Sequence, residues 1–206
     1  MAALSSLYSS VRVFANQCPD ATIDKFLIEA VREFCRKSYF YQEELSINVV
    51  ASTATYTVTP SSSQELITVT SVRVDDVPYA PVRTQEVNDV VGDWQYQSYR
   101  FEPNSSVTVY PTPTENVTNG LVVQAVIMPP ENTTTVPDVI YRHHKETIVA
   151  GALYYILSMQ NEAWSNTPLA ATKRAEFISG MNTAKRQRST GFVDKNLSMR
   201  ARSFAI

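Results

Sequence analysis

Only two cysteines, two histidines and five glycines occur in this 206-residue sequence, and each scarcity closes a route to function. Cys18 and Cys35 make no disulfide framework, so the expectation is folding in a reducing cytoplasm, with Cys35 a small core residue and Cys18 at a helix end. No charged-then-apolar leader opens the chain and no uncharged apolar run approaches the ~20 residues of a membrane span, so neither secretion nor a membrane is expected. The sequons at Asn104, Asn116 and Asn132 are therefore read as idle. Few glycines leave little from which to build a phosphate-cradling loop, and no such motif, nucleophile elbow or zincin motif is present. The two histidines, His143 and His144, are adjacent, and on a helix they point about 100° apart, too far to share one ion without distortion. The doublets Glu43-Glu44 and Asp75-Asp76 contain the carboxylates a glycosidase uses. Adjacent acids in a strand face opposite ways, however, and acid doublets are common in turns. No catalytic residue, metal or cofactor is expected, and the chain is read as a non-enzyme.

What is present is an ordinary globular composition, 44% hydrophobic and 18% charged, with enough chain for one sizeable core or two small ones. The net charge of −2 gives no general reason for nucleic-acid affinity, but the charge is unevenly placed. From Met181 to Ile206 six basic residues stand against one acid, Asp194, whereas 12 basic and 19 acidic residues precede Met181.

Two long helices organise the C-terminal part. The first opens at Pro137-Asp138, where the carboxylate is placed to cap free N–H groups, and carries Ile140, His144, Ile148, Ala152, Tyr155, Ile156 and Met159 on one face. Its small pair Gly151-Ala152 admits a close neighbour. A corner ending in Thr167-Pro168, with Thr167 as cap, leads to a second helix with Leu169, Phe177, Met181 and Ala184 inward and Gly191 as its stop. Near the N-terminus, residues Ala3 to Asn16 have helical spacing. A second helix from Asp20 to Thr22 onward sets the stripe Ile23, Phe26, Leu27, Ala30, Val31, Phe34 and Cys35 against a solvated face of Asp24, Lys25, Glu29, Arg32 and Arg36.

Between these helical ends the composition turns to Val, Thr, Ser and Pro. Strands are expected near Leu45–Val50, Thr55–Thr59, Leu66–Val74, Val77–Val82, Tyr99–Glu102, Val107–Tyr110 and Leu121–Met128. Asp75-Asp76 marks a turn and Asn119-Gly120 a hairpin. Thr84 to Val91 suits one or two helical turns broken by Gly92-Asp93-Trp94, and Pro129 to Pro137 a stiff extended linker. The fold class is α+β: a discontinuous helical bundle of residues 1–42 and 137–191, an inserted antiparallel β domain of residues 43–136, and an extended arm of residues 192–206. The arm alternates loosely between apolar and basic residues (Leu197, Met199, Arg200, Arg202, Phe204, Ile206) and has too few apolar side chains to fold alone.

The run Val136-Pro137-Asp138, Ala150-Gly151-Ala152-Leu153, Met159, Trp164-Ser165-Asn166-Thr167-Pro168, Leu169-Ala170-Ala171, Phe177, Gly180 and Ala184 resembles the C-terminal signature of the head-to-tail adaptor (connector) proteins of tailed bacteriophages. Cys18-Pro19, Ala30 to Arg36 and Glu43-Glu44-Leu45 are similar to that family's N-terminal helix and its exit. The resemblance implies a virion protein that forms a ring of twelve copies beneath the portal protein, contacts tail or nozzle proteins, and continues a channel for genomic DNA without sequence-specific binding. It implies too that the C-terminal arm reaches the portal. Ile148, Ala152, Tyr155, Ile156 and Met159 are then the candidate core and subunit-contact positions. A nucleic-acid-binding accessory protein using the basic C-terminal segment is the alternative.

Overall fold

Apolar residues recurring every three to four positions, and then every two, divide the chain into helical and strand segments. The computed structural model describes residues 1–60, 63–82, 97–102 and 104–191. Among the described residues are four α-helices and nine strands, a mixed α+β fold.

Strand β1 (Ala2–Ala3) and a 3-10 turn over Leu4–Leu7 precede the short helix α1 (Tyr8–Arg12). The single helix expected from Ala3 to Asn16 is thus broken up. Its first residues are drawn into pairing with a distant strand, with Leu4 N–H donating to the Thr134 carbonyl at 3.1 Å. Helix α2 (Asp20–Ser38) buries Ile23, Leu27, Ala30, Val31, Phe34 and Cys35, while Phe26 is half-buried. It stops where Tyr39 takes a left-handed conformation (φ 54°) and the Ser38 hydroxyl donates to the Phe34 carbonyl at 2.7 Å.

Seven strands follow: β2 (Gln42–Val49), β3 (Thr55–Thr57), β4 (Glu65–Val74), β5 (Val77–Pro81), β6 (Ser98–Glu102), β7 (Ser106–Tyr110) and β8 (Val117–Met128). Their order in the sheet is β2-β8-β4-β5-β6-β7-β3. Each overlaps an expected strand. The pairing departs from the expected all-antiparallel arrangement at one place, because β5 and β6 run parallel, Ala80 opposite Ser98. Period-2 alternation sends Leu121, Val123, Ala125 and Ile127 of β8 to one face, and Val123 lies between Leu45 of β2 and Val72 of β4. Asp75 and Asp76 both have positive φ (49° and 62°) and close the tight β4–β5 hairpin. Asn119-Gly120 is not a hairpin turn. It lies inside β8, where Asn119 (φ 54°) donates its N–H to the Asn48 side chain at 2.8 Å and the β2–β8 register shifts between Ile47 and Val49. The local signal for positive φ is real, but tertiary pairing uses it for an irregularity in a long strand. The helical turns expected at Thr84 to Val91, and their break at Gly92-Asp93-Trp94, lie outside the described residues.

The segment from Pro129 to Pro137 is not simply extended: it turns at Glu131-Asn132 and then forms β9 (Thr135–Val136), antiparallel to β1. Helix α3 (Asp138–Leu157) starts without a side-chain cap, and Asp138 instead accepts from the Met1 ammonium. Met159 lies beyond the end of α3, and Tyr155 is only half-buried, so the inward face is Ile140, His144, Ile148, Ala152 and Ile156. Asn166, not Thr167, caps helix α4 (Thr167–Thr190), its side chain accepting from Leu169 N–H at 3.1 Å. At the other end Gly191 (φ 67°) ends the helix in the expected left-handed conformation.

Buried apolar residues form two clusters. One joins α1, α2, α3 and α4 through Val11, Leu27, Phe34, Ile148, Ile156 and Phe177. The other fills the sheet with Leu45, Val72, Tyr99, Val107, Val109 and Val123. In the helical cluster a Cβ on Gly151 would sit 2.8 Å from the Phe177 ring and 3.0 Å from Ala30 Cβ, and one on Gly180 would fall onto Thr147. Gly151→Val is expected to destabilise the chain by about 1–3 kcal/mol through overpacking. Urea unfolding checks this as a lower midpoint at unchanged m-value; an unchanged midpoint would show that Phe177 has room to move.

Candidate functional site

Polar groups that the fold buries, and apolar groups that it leaves outside, mark where side chains do more than fill space. The most heavily bonded of them is Arg32. Its position on α2 was expected to be solvated, yet its side chain is 7% exposed and forks onto Glu65 of β4 with contacts of 3.0 and 2.9 Å. A third bond, 2.7 Å, reaches the Pro129 carbonyl, and Glu131 stands 3.6 Å away. The bonds to Glu65 hold the guanidinium even more firmly protonated than usual. One side chain thus ties α2 to the first residue of β4 and to the chain leaving β8. The sequence signal for it was weak: Ile28 and Cys35, four positions before and three after Arg32, give that face a partly apolar character.

Helix α3 carries the second buried polar group. His144 packs between Phe34 (ring centroids 5.0 Å) and Phe40 (4.5 Å, edge-on), and its Nε2 has no hydrogen-bond partner. Its backbone is non-helical (φ −134°, ψ 20°), so α3 kinks there. Burial, with the neighbouring His143 adding to it, lowers the imidazole from 6.5 to about 4 and keeps it neutral at ordinary pH. Its expected place on one helix face with Ile140 and Ile148 agrees with this burial. Further along α3, the Tyr155 hydroxyl donates to Glu33 and its ring stacks on Phe26 at 5.7 Å. Tyr154 accepts from Arg174 of α4 at 3.0 Å beneath the same guanidinium.

Of the expected core and contact positions, Ile148, Ala152 and Ile156 are buried within the chain, Tyr155 is shared between core and surface, and Met159 is off the helix. The arm residues Leu197, Met199, Arg200, Arg202, Phe204 and Ile206 lie outside the described residues. Cys18 and Cys35 are unbridged and buried, and desolvation pushes the Cys35 thiol up to about 12, which suppresses its nucleophilic form. Glu44 pairs with Arg73 at 3.2 Å across the sheet. Among the described residues no group of three or more His, Cys, Asp or Glu is arranged to hold a metal ion, and no helix is long and apolar enough to cross a membrane.

The distinctive side chains of this chain couple one element of its own fold to another. A family model described as SU10 adaptor protein matches residues 2–200. The chain belongs to this family of phage head-to-tail adaptors. No curated protein matches it.

Two measurements test the buried polar groups. Arg32→Met alone should cost about 1–3 kcal/mol, because it strands Glu65 and the Pro129 carbonyl. A double-mutant cycle with Glu65→Gln should return a coupling energy in urea unfolding, and additive losses would refute the clamp. For His144 the folded value is depressed, so as pH falls the unfolded chain takes the proton first. Stability should drop by up to about 3 kcal/mol between pH ~6.5 and ~4 and gain no further slope from this group below that. His144→Leu should remove that part of the pH dependence, read as the difference between the two proteins' unfolding midpoints across the window.

Proposed function

We propose that this protein is a structural component of a phage virion that assembles as a ring beneath the portal, joins capsid to tail, and continues the channel through which genomic DNA passes. The family match over residues 2–200 carries the reading. In it, residues 1–42 and 137–191 are a helical adaptor domain, a discontinuous bundle into which residues 43–136 insert a β domain. Residues 192–206 form the arm that engages the portal, with Arg200 and Arg202 pairing to acidic groups and Leu197, Met199, Phe204 and Ile206 seated in apolar pockets. Twelve copies follow from the resemblance to connector proteins, and tail or nozzle proteins are the partners on the opposite side. The chain assembles in the host cytoplasm, and its residues do no catalysis.

The excess of acids before Met181 supports the channel role, since a wall that passes DNA without gripping it presents few cations to phosphate. The competing reading, nucleic-acid binding by the basic C-terminal segment, draws on the same charge separation. Native mass spectrometry of the chain with its portal ring distinguishes them, comparing full length with a form ending at Gly191. Saturable addition of a fixed number of copies that requires residues 192–206 is the expected result. Salt-sensitive DNA binding that disappears on truncation, with no portal addition, would replace the ring by the nucleic-acid reading.

A further inference from the structure

Helix α4 leaves one long flank uncovered. Phe177, Met181 and Ala184 face the core, and the helical rotation of about 100° per residue puts Glu176 and Ile178 on opposite sides of Phe177. On the Ile178 side, Ala175, Ile178, Ser179, Asn182, Thr183 and Arg186 form an open face of the helix turned away from the core. Ile178 is 44% exposed at its centre. Lys185 and Arg186 beside it make no ion pair among the described residues.

On the Glu176 side the chain presents a second exposed apolar site. Val13 (76% exposed) and Phe14 (43%) project from the corner after α1, with Phe14 lying 4.8 Å from the Lys173 ammonium. Lys145, Glu146, Lys173 and Glu176 line the hollow next to Phe14, with Glu176 paired to Lys173 at 2.8 Å, and Glu162, Arg12 and Asp20 act on Cys18 just beyond the corner, where Arg12 pairs with Asp20. Glu146 and Glu162 hold no ion pair among the described residues, as Lys185 and Arg186 hold none on the other flank.

We infer that these two flanks are the two halves of one copy-to-copy seam: the Val13–Phe14 corner of one subunit packs on the Ile178 face of the next, with Glu146 and Glu162 facing Lys185 and Arg186. Charge supports a second copy as the occupant. Helix α4 holds five basic residues and one acidic, whereas residues 1–166 hold ten basic and eighteen acidic, so α4 of one subunit meets its complement on the body of another. An exposed isoleucine bordered by Ser179, Asn182, Thr183 and Arg186 has the apolar centre and polar rim of a protein interface. Because the two patches are unlike and belong to one chain, repeating the contact produces a head-to-tail ring or filament. The seam rests on the ring reading above and names the surfaces that close it.

Oxidative cross-linking tests it, since both native thiols are buried. Val13→Cys and Ile178→Cys proteins, mixed with and without the portal ring, should form a mixed disulfide dimer roughly tenfold in excess over either protein alone. Lys185→Glu with Arg186→Glu should weaken self-association by roughly tenfold or more, and Glu146→Lys with Glu162→Lys in the mixed partner should restore it. A ring that assembles without the mixed adduct, or an Ile178→Cys protein that links to itself as well as to its partner, overturns the seam while the ring stands. Loss of DNA binding in the Lys185→Glu, Arg186→Glu protein, without any adduct in the parent mixture, assigns the flank to nucleic acid and overturns the seam. No assembly under any condition, with or without the portal, overturns both.

Discussion

Two missing side chains determine how closely the C-terminal helices approach, and the helical layer depends on that distance. Gly151 on α3 makes room for the Phe177 ring of α4, and Gly180 on α4 makes room for Thr147 of α3. The pairs run in opposite directions along the two helices, so each fixes the antiparallel register that the other requires. Ala30 of α2 closes on the same glycine from the other side, so three helices converge where one has no Cβ. Interiors are close-packed and transmit such constraints over their neighbours. Shifting α4 outward by the width of a methyl group would uncover Phe177, Met181 and Ala184 together.

The helical layer and the sheet have separate apolar clusters, and what fixes one to the other is polar as well as apolar. Tyr41 packs against both clusters, and Ile67 and Met128 lean from the sheet end onto the helices. Apolar contact alone tolerates sliding. The fork of Arg32 on Glu65, with its third bond to Pro129, does not, since three hydrogen bonds from a planar group specify direction as well as distance. Such a pair adds little net stability over a pair of well-packed apolar side chains, but it penalises every other relative placement of the two layers.

Legibility from sequence followed the range of the interaction. Strands, the stripe on α2 and the Gly191 stop depend on neighbours a few residues away, and the seven strands and both long C-terminal helices emerge within a few residues of their expected limits. The misplacements have distant causes. Arg32 looked solvated because Glu65 and the Pro129 carbonyl are remote in the chain. Asn119-Gly120 has the chemistry of a turn, and only the register of β2 against β8 makes it an irregularity. The first residues have helical spacing but are captured by β9, more than a hundred positions away. The kink at His144 had no local proline or glycine to announce it, and it coincides with the packing of the imidazole between two rings of other segments. Of the candidate surfaces, the apolar faces were legible, but which part of each face stays outside was not. Periodicity gives a direction around a helix and says nothing of what arrives there.

The chain order also has a consequence in time. Helix α2 packs on α3, yet roughly a hundred residues, including the whole seven-stranded sheet, lie between Ser38 and Asp138. At the usual pace of synthesis, about 5–20 residues per second, the apolar stripe of α2 leaves the ribosome on the order of 5–20 s before its partner exists. Throughout that interval Ile23, Leu27, Val31 and Phe34 lack the cover of α3 and α4, while the strands that emerge next can pair among themselves. The nascent protein is therefore a sheet trailing a sticky helix until α3 arrives, and in this interval a chaperone has the most to hold.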